Sequence, residues 1–176
     1  MKFNKTHIKD VYIIDLDKHI DERGYFARAW CKNEFDEMGL KSNVVQCNLS
    51  FNHKKGTLRG MHYQIHPFEE VKMVRCIQGK ILDVVIDLRK DSETYKQWIG
   101  VELSDENHRM LYVPEGFAHG YQTLEDYSMV YYQVTEFYQP GSEKGIRWND
   151  PAFKIEWPLE ITSMSDKDQN HSDYIE

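Results

Sequence analysis

Three residues in one short stretch, Arg59, His62 and Lys72, are of types that move protons and hold anions. They lie in GTLRGMHYQIHPFEEVK, positions 56–72. An imidazole titrates near neutral pH and serves as a general base. A guanidinium matches paired phosphate oxygens, and an ammonium stabilises charge developing on an oxygen. Arg59 and His62 are an odd number of positions apart, so a regular strand sends them to opposite faces. Gly60 between them offers a bulge that brings both to one side. The plainer reading, of ordinary exposed polar residues, stands beside this one.

A second stretch, LYVPEGFAHGY at 111–121, contains Pro114-x-Gly116-x-x-His119. It reads as a turn between two strands, shaped by Pro and Gly and ending in a histidine. A third, MVYYQVTEFYQP at 129–140, places Tyr132 and Tyr138 six positions apart, on one face of a regular strand. A phenol facing a cavity donates protons; simple packing is the alternative, since aromatic residues favour strands. The fourth, Ser165-Asp166-Lys167-Asp168, reads on its own as a charged tail.

The first two stretches together resemble the paired motifs of the cupin barrel. Metal-binding cupins usually carry H-x-H in the first motif, where this chain has His62-Tyr63-Gln64. A neutral Gln amide is a poor transition-metal ligand. His62, Glu70 and His119 remain as a partial ligand set, so a metal-dependent cupin enzyme is the alternative enzyme class.

The elements that must position these residues are mostly short β-like runs between turn residues. Strands are expected at 11–16, 71–77, 80–88, 98–103, 110–113, 121–124 and 129–137. Within 80–88, Leu82, Val84, Ile86 and Leu88 share one face, and Val85 and Asp87 the other. Residues 33–39, NEFDEMG, predict a short helix with an Asn cap and a Gly stop. A further turn is expected to start at 150–153. The polar tail 166–176 is expected to fray in part. Closely spaced strands point to a sandwich or closed barrel.

The chain has 176 residues, of which 40% are hydrophobic. That suits a single domain spanning 1–176 with a real core. The net charge of −7 argues against a general nucleic-acid binder. A local cluster of Arg, Lys and His still suits a small anionic ligand. Cys31, Cys47 and Cys76 form no C-x-x-C pair, which fits a reducing compartment. With no signal-like or membrane-spanning apolar run, the expectation is a cytoplasmic protein.

From about Asp21 to Asp168 the chain resembles the dTDP-4-dehydrorhamnose 3,5-epimerase family. The matching stretches are DERG (21–24), LRGMHYQ (58–64), KMVRCIQGKILDVVIDLRKDS (72–92), VELSDENHRMLYVPEGFAHGYQTL (101–124), IRWNDPAFKIEWP (146–158) and SDKD (165–168). The resemblance implies a mainly β fold, a cupin-type antiparallel barrel or jelly roll with a few short helices. It implies a homodimer with a nucleotide-sugar substrate lying in the barrel, and neither metal nor cofactor. His62 is then the base, paired with Asp168, and Tyr132 donates a proton on the opposite face of the sugar. Lys72 holds the C4 oxygen, and Arg59 and His119 face the diphosphate or sugar. Arg23, Arg28, Gln46, Asn48, Glu143 and Lys167 fall among the substrate contacts, and Tyr138 is an aromatic near the base.

Retention of His62, Tyr132 and Asp168 favours an enzyme over a sugar-nucleotide binding module. Three places depart from the family pattern: Tyr25-Phe26-Ala27-Arg28 after DERG, Cys47 where Asp is common, and Gln133 where Lys is common. They leave open the nucleotide, and whether carbon 3, carbon 5 or both are inverted.

Overall fold

The run at 80–88 carries apolar residues on both faces, with Asp83 and Asp87 on one of them, and the structure buries both faces. A computed structural model of the chain describes residues 1–175. The elements run β1 (Lys2–Lys5), β2 (Tyr12–Asp15), β3 (His19–Asp21), β4 (Gly24–Phe26), α1 (Lys32–Glu37), β5 (Gln46–Asn52), β6 (Leu58–Gln64), β7 (Lys72–Gln78), β8 (Lys80–Asp87), β9 (Trp98–Ser104), β10 (Met110–Val113), β11 (Phe117–Thr123), β12 (Ser128–Val134), β13 (Glu143–Gly145) and α2 (Asp166–Gln169). A six-stranded sheet has the order β1-β2-β10-β7-β12-β5, and a five-stranded sheet the order β13-β6-β11-β8-β9. Strands β3 and β4 form a hairpin that belongs to neither. The pairings between strands are all antiparallel. This is the mainly β, cupin-type jelly roll that the resemblance implied, within the sandwich-or-barrel class that the strand pattern predicted.

The main core lies between the sheets. Val74, Cys76, Leu111, Val113 and Val130 from one sheet meet Ile81, Val85, Val101, Leu103 and Phe117 from the other. Alternate residues of β8 turn outward: Val84 and Ile86 pack with Met61, Ala118, Ile146 and Phe153 under the C-terminal segment. Period-2 alternation with both faces covered explains the nearly unbroken apolar run. On the outside of the six-stranded sheet, Phe35 of α1 packs on Ile14, Met73, Met110 and Tyr112.

Several expected boundaries shift. The helix starts at Lys32 with Cys31 as its cap residue, so Asn33 is not the cap. The first expected strand shortens to Tyr12–Asp15. Strand β11 begins at Phe117 and not at residue 121, because Phe117 already pairs with Asp87 at the end of β8. His119 is therefore mid-strand and does not close a turn. Strand β12 ends at Val134 and not at residue 137: its partners on both sides, Gln46 of β5 and Lys72 of β7, are themselves the first residues of their strands. Tyr138 consequently sits in the loop beyond the strand and does not share its face with Tyr132. A turn does form at 150–153, where the Phe153 N–H donates to the Asp150 carbonyl. In the polar tail, Asp166–Gln169 are helical, with the Ser165 hydroxyl accepting from the Asp168 N–H as a cap.

The bulge expected at Gly60 is present. His62 pairs with His119 and Arg59 with Tyr121, so three steps along β6 match two along β11. The strands approach closely here because Gly60 faces Gly120. A Cβ on Gly120 would stand 2.6 Å from Met61 Sδ and 2.7 Å from the Arg59 carbonyl oxygen. Gly120→Ala is expected to lower stability by about 1–3 kcal/mol through overpacking, read as the urea unfolding midpoint. An unchanged midpoint would show that this approach tolerates a methyl group.

Candidate active site

Cross-strand registers set the inward rows of the barrel. On the six-stranded sheet, Gln46, Val134 and Lys72 form one row, and Asn48, Tyr132 and Val74 the next. On the facing sheet, Gly145, His62, His119 and Val85 lie in register. Along β7 the inward positions change character: Lys72 opens on a cavity, whereas Val74 and Cys76 are core. The cavity is about 710 Å³ in volume, within the usual range for small-molecule sites. His62 reaches it from one sheet and Tyr132 from the other.

His62 Nε2 lies 2.6 Å from Asp168 Oδ1. The other carboxylate oxygen accepts from the Gly60 N–H at 3.2 Å. Burial pushes the Asp168 carboxyl up, but the hydrogen bonds and charge of His62, with the Gly60 N–H, outweigh it and hold the group below the usual carboxylate range. An ionised carboxylate only accepts hydrogen bonds. Nε2 of His62 therefore donates to the carboxylate, which leaves Nδ1 as the ring nitrogen available to act as a base. Burial, aided by Tyr121 and Glu70, raises the Tyr132 phenol above its ordinary value. Tyr132 is therefore a protonated donor at neutral pH.

The Lys72 ammonium is ion-paired with Glu70, and both side chains are largely buried. His119 Nε2 lies 2.5 Å from Asp83 Oδ1. Burial holds the Asp83 carboxyl above its usual range although His119 pulls it down. Arg59 Nε donates to Asn52 Oδ1 at 2.8 Å. The amide of Gln64 donates to the Phe68 and Phe137 carbonyls and accepts from the Gln139 N–H and the Ser142 hydroxyl. It thus pins the loop carrying Tyr138, whose N–H donates to Gln46 Oε1. Lys167 and Glu143 form an ion pair at the cavity wall.

The partial metal set read from the sequence does not come together. Glu70 is held by Lys72 and His119 by Asp83. Among the described residues, the three donors that do converge are His62, Asp168 and His171, within 4.8 Å of one another.

Residues 5–176 match the sequence profile of the dTDP-4-dehydrorhamnose 3,5-epimerases. The chain belongs to the dTDP-4-dehydrorhamnose 3,5-epimerase family. It is 43% identical to the dTDP-4-dehydrorhamnose 3,5-epimerase of Shigella flexneri, over 100% of this chain and 97% of that one. The crystal structure of the Bacillus anthracis dTDP-4-dehydrorhamnose 3,5-epimerase, with TDP and PPi bound, superposes with a TM-score of 0.93 at 40% identity, covering 97% of each chain. The dTDP-6-deoxy-D-glucose-3,5-epimerase of Legionella pneumophila, in complex with dTDP-4-keto-L-rhamnose, gives 0.91 at 37% identity, covering 98% of this chain and 92% of that one.

Of the positions that resemblance to the epimerase family singled out, the cavity is lined by His62, Asp168, Tyr132, Lys72, Gln46, Asn48, Arg59, His119, Tyr138, Glu143 and Lys167. Arg23 and Arg28 are not among them. Arg23 is paired with Asp21 at the tip of the β3–β4 hairpin, with its side chain 85% exposed. Arg28 lies 3.6 Å from Glu34 near α1. Arg23 sits on a hairpin that pairs with neither main sheet and Arg28 lies beyond it, and neither guanidinium lines the cavity of its own chain.

Sequence reasoning missed two partners that fix the site, Asp83 behind His119 and Gln64 behind the Tyr138 loop, and it missed the neighbour His171, whose ring packs against His62. Asp83 carried a usable signal, being two positions from both Ile81 and Val85 on the inward face.

Asp168 predicts an acid-dependent stability term. Its folded pKa is depressed, so its contribution is present above the unfolded value and is lost as pH falls through the folded one. Asp168→Asn is expected to cost about 1–3 kcal/mol at neutral pH, with the difference from wild type shrinking as the pH falls to about 3. Urea unfolding across the range measures it, and a constant difference would remove the carboxylate from this role.

Proposed function

We propose that this chain epimerises carbons 3 and 5 of a dTDP-linked 4-keto-6-deoxy sugar, with His62 as base and Tyr132 as acid. The observation that carries the reading is that His62 and Tyr132 reach one cavity from opposite sheets. Inverting a carbon beside a ketone needs a proton removed from one face and returned to the other. Nδ1 of His62 takes the proton, and Asp168 stabilises the imidazolium that forms. Electrons move to the C4 oxygen, and the Lys72 ammonium stabilises the resulting enolate. Tyr132 returns a proton from the far side. Arg59 and His119 hold the diphosphate or sugar, with Gln46, Asn48, Tyr138, Glu143 and Lys167 completing the wall. The TDP and the dTDP-sugar bound by the two related epimerases support a thymidine nucleotide.

The experiment is turnover of dTDP-4-keto-6-deoxy-glucose in deuterated water, with the label located by NMR. The wild type is expected to place deuterium at both carbons. His62→Ala should admit none. Tyr132→Phe should slow inversion by about 10²–10⁴-fold while label still enters through His62. Full exchange in His62→Ala would remove His62 as the base.

We infer further that the working form is a homodimer. A second copy is what would bring Arg23 to a cavity, since it lies away from its own. The β3–β4 hairpin exposes Ile20 and Phe26 at 80% and 69%, and the edge strand β5 exposes Leu49 at 65%. Exposed apolar side chains on an edge strand and an unpaired hairpin suit an isologous contact. Light scattering at assay concentration should give twice the chain mass; a fully active monomer would overturn this. The chain is read as one epimerase domain. Its three unpaired thiols favour a reducing cytoplasm, and no helix among the described residues is long and apolar enough to cross a membrane.

A further inference from the structure

His171 has no part in the proposed chemistry, yet it packs against the base from just outside the cavity lining. Its side chain is 13% exposed, and its Nε2 is buried without a hydrogen-bond partner. Nε2 lies 3.6 Å from Asp168 Oδ1, the same oxygen that His62 Nε2 approaches at 2.6 Å. The two imidazoles meet edge to face, with centroids 5.7 Å apart. Space for this ring exists because the residue paired with His62 on β13 is Gly145; a Cβ there would overlap His171. The three donor atoms lie within 4.8 Å of one another.

We propose that His62, Asp168 and His171 form an inhibitory site for a divalent metal ion of the zinc class. Two imidazoles and one carboxylate are the donors that zinc prefers, whereas magnesium prefers all-oxygen sets. Zinc bonds of ordinary length place donors about 3.3 Å apart in a tetrahedron. His62 and Asp168 open slightly and His171 swings inward to reach that spacing. The fourth position faces the cavity. The ion takes Nε2 of His62, so the ring proton moves to Nδ1, the atom that must be free to accept a proton from substrate. Zinc binding and proton abstraction therefore exclude one another. The inhibition rests on the epimerase reading; the binding does not.

The test uses the full chain, treated with chelator and then dialysed. Zinc chloride is titrated in by calorimetry without substrate, and in parallel against solvent deuterium exchange with substrate. One saturable site per chain is expected, with exchange lost as it fills and magnesium chloride without effect. His171→Ala and His171→Gln should keep zinc-free exchange within about twofold and require at least about tenfold more zinc for both readouts. Unchanged zinc affinity in both variants would place the ion elsewhere, on Cys47 for example, and overturn the proposal. So would absence of a saturable site in the wild type. Loss of zinc-free exchange in both variants would make His171 part of the catalytic apparatus and overturn a purely inhibitory role. If the zinc-free wild type shows no exchange at all, the epimerase reading fails while calorimetry still decides the metal site.

Discussion

The contact between His62 and Asp168 joins residues 106 apart in sequence, and the architecture around the cavity is arranged to permit it. A carboxylate that is 4% exposed is costly to bury without partners. Here one oxygen takes the imidazole and the other takes the Gly60 N–H. That N–H is available because β6 bulges at this point, and the bulge fits because Gly120 has no side chain to oppose it. At the other end, Ser165 caps the short helix that delivers Asp168. A parallel bridge between Thr57 and Ser163 ties the incoming segment to the start of β6. Strand, bulge, cap and bridge converge on one hydrogen bond.

The remaining polar groups of the cavity show the same economy. Lys72 is held by Glu70, His119 by Asp83 and the Tyr138 loop by Gln64. Lys72, His119, His62 and Arg59 each have a partner that fixes the direction of the side chain. This is what a site must have if its dipoles are to be in place before charge develops. The Gln64 amide, which had counted only as an unsuitable metal ligand, proves to be a clamp on four backbone and side-chain groups.

Much of this was legible in the residues. The runs at 80–88 and 110–113 became strands nearly as read, because period-2 patterning and β-branched side chains carry the strand signal. The bulge was legible because His62 and Arg59 needed one side and Gly60 stood between them. The early start of β11 was not, since Gly116, Ala118 and Gly120 dilute the strand signal that tertiary pairing with β8 supplies. Tyr138 was misplaced because a ladder ends where its neighbours end, and a single strand's sequence does not contain that fact. His171 was invisible because its position depends on a glycine 26 residues earlier having no Cβ. Arg23 and Arg28 came from resemblance alone: Arg23 sits on a hairpin outside both sheets, Arg28 pairs with Glu34 of α1, and neither lines the cavity of its own chain.

Mounting His62 and Tyr132 on facing sheets has a consequence for the apolar layer between them. Val74, Val85, Leu103 and Leu111 lie outside the cavity lining, yet their bulk spaces the two sheets that carry the imidazole and the phenol. The filling of the barrel thus acts as a gauge block. On the proposed mechanism, a shift of one methylene group there alters the space left for a ring between the two jaws, with neither jaw itself changed. Stereochemical outcome in such a protein can drift through the packing of its interior, at positions that no inspection of the cavity wall would single out.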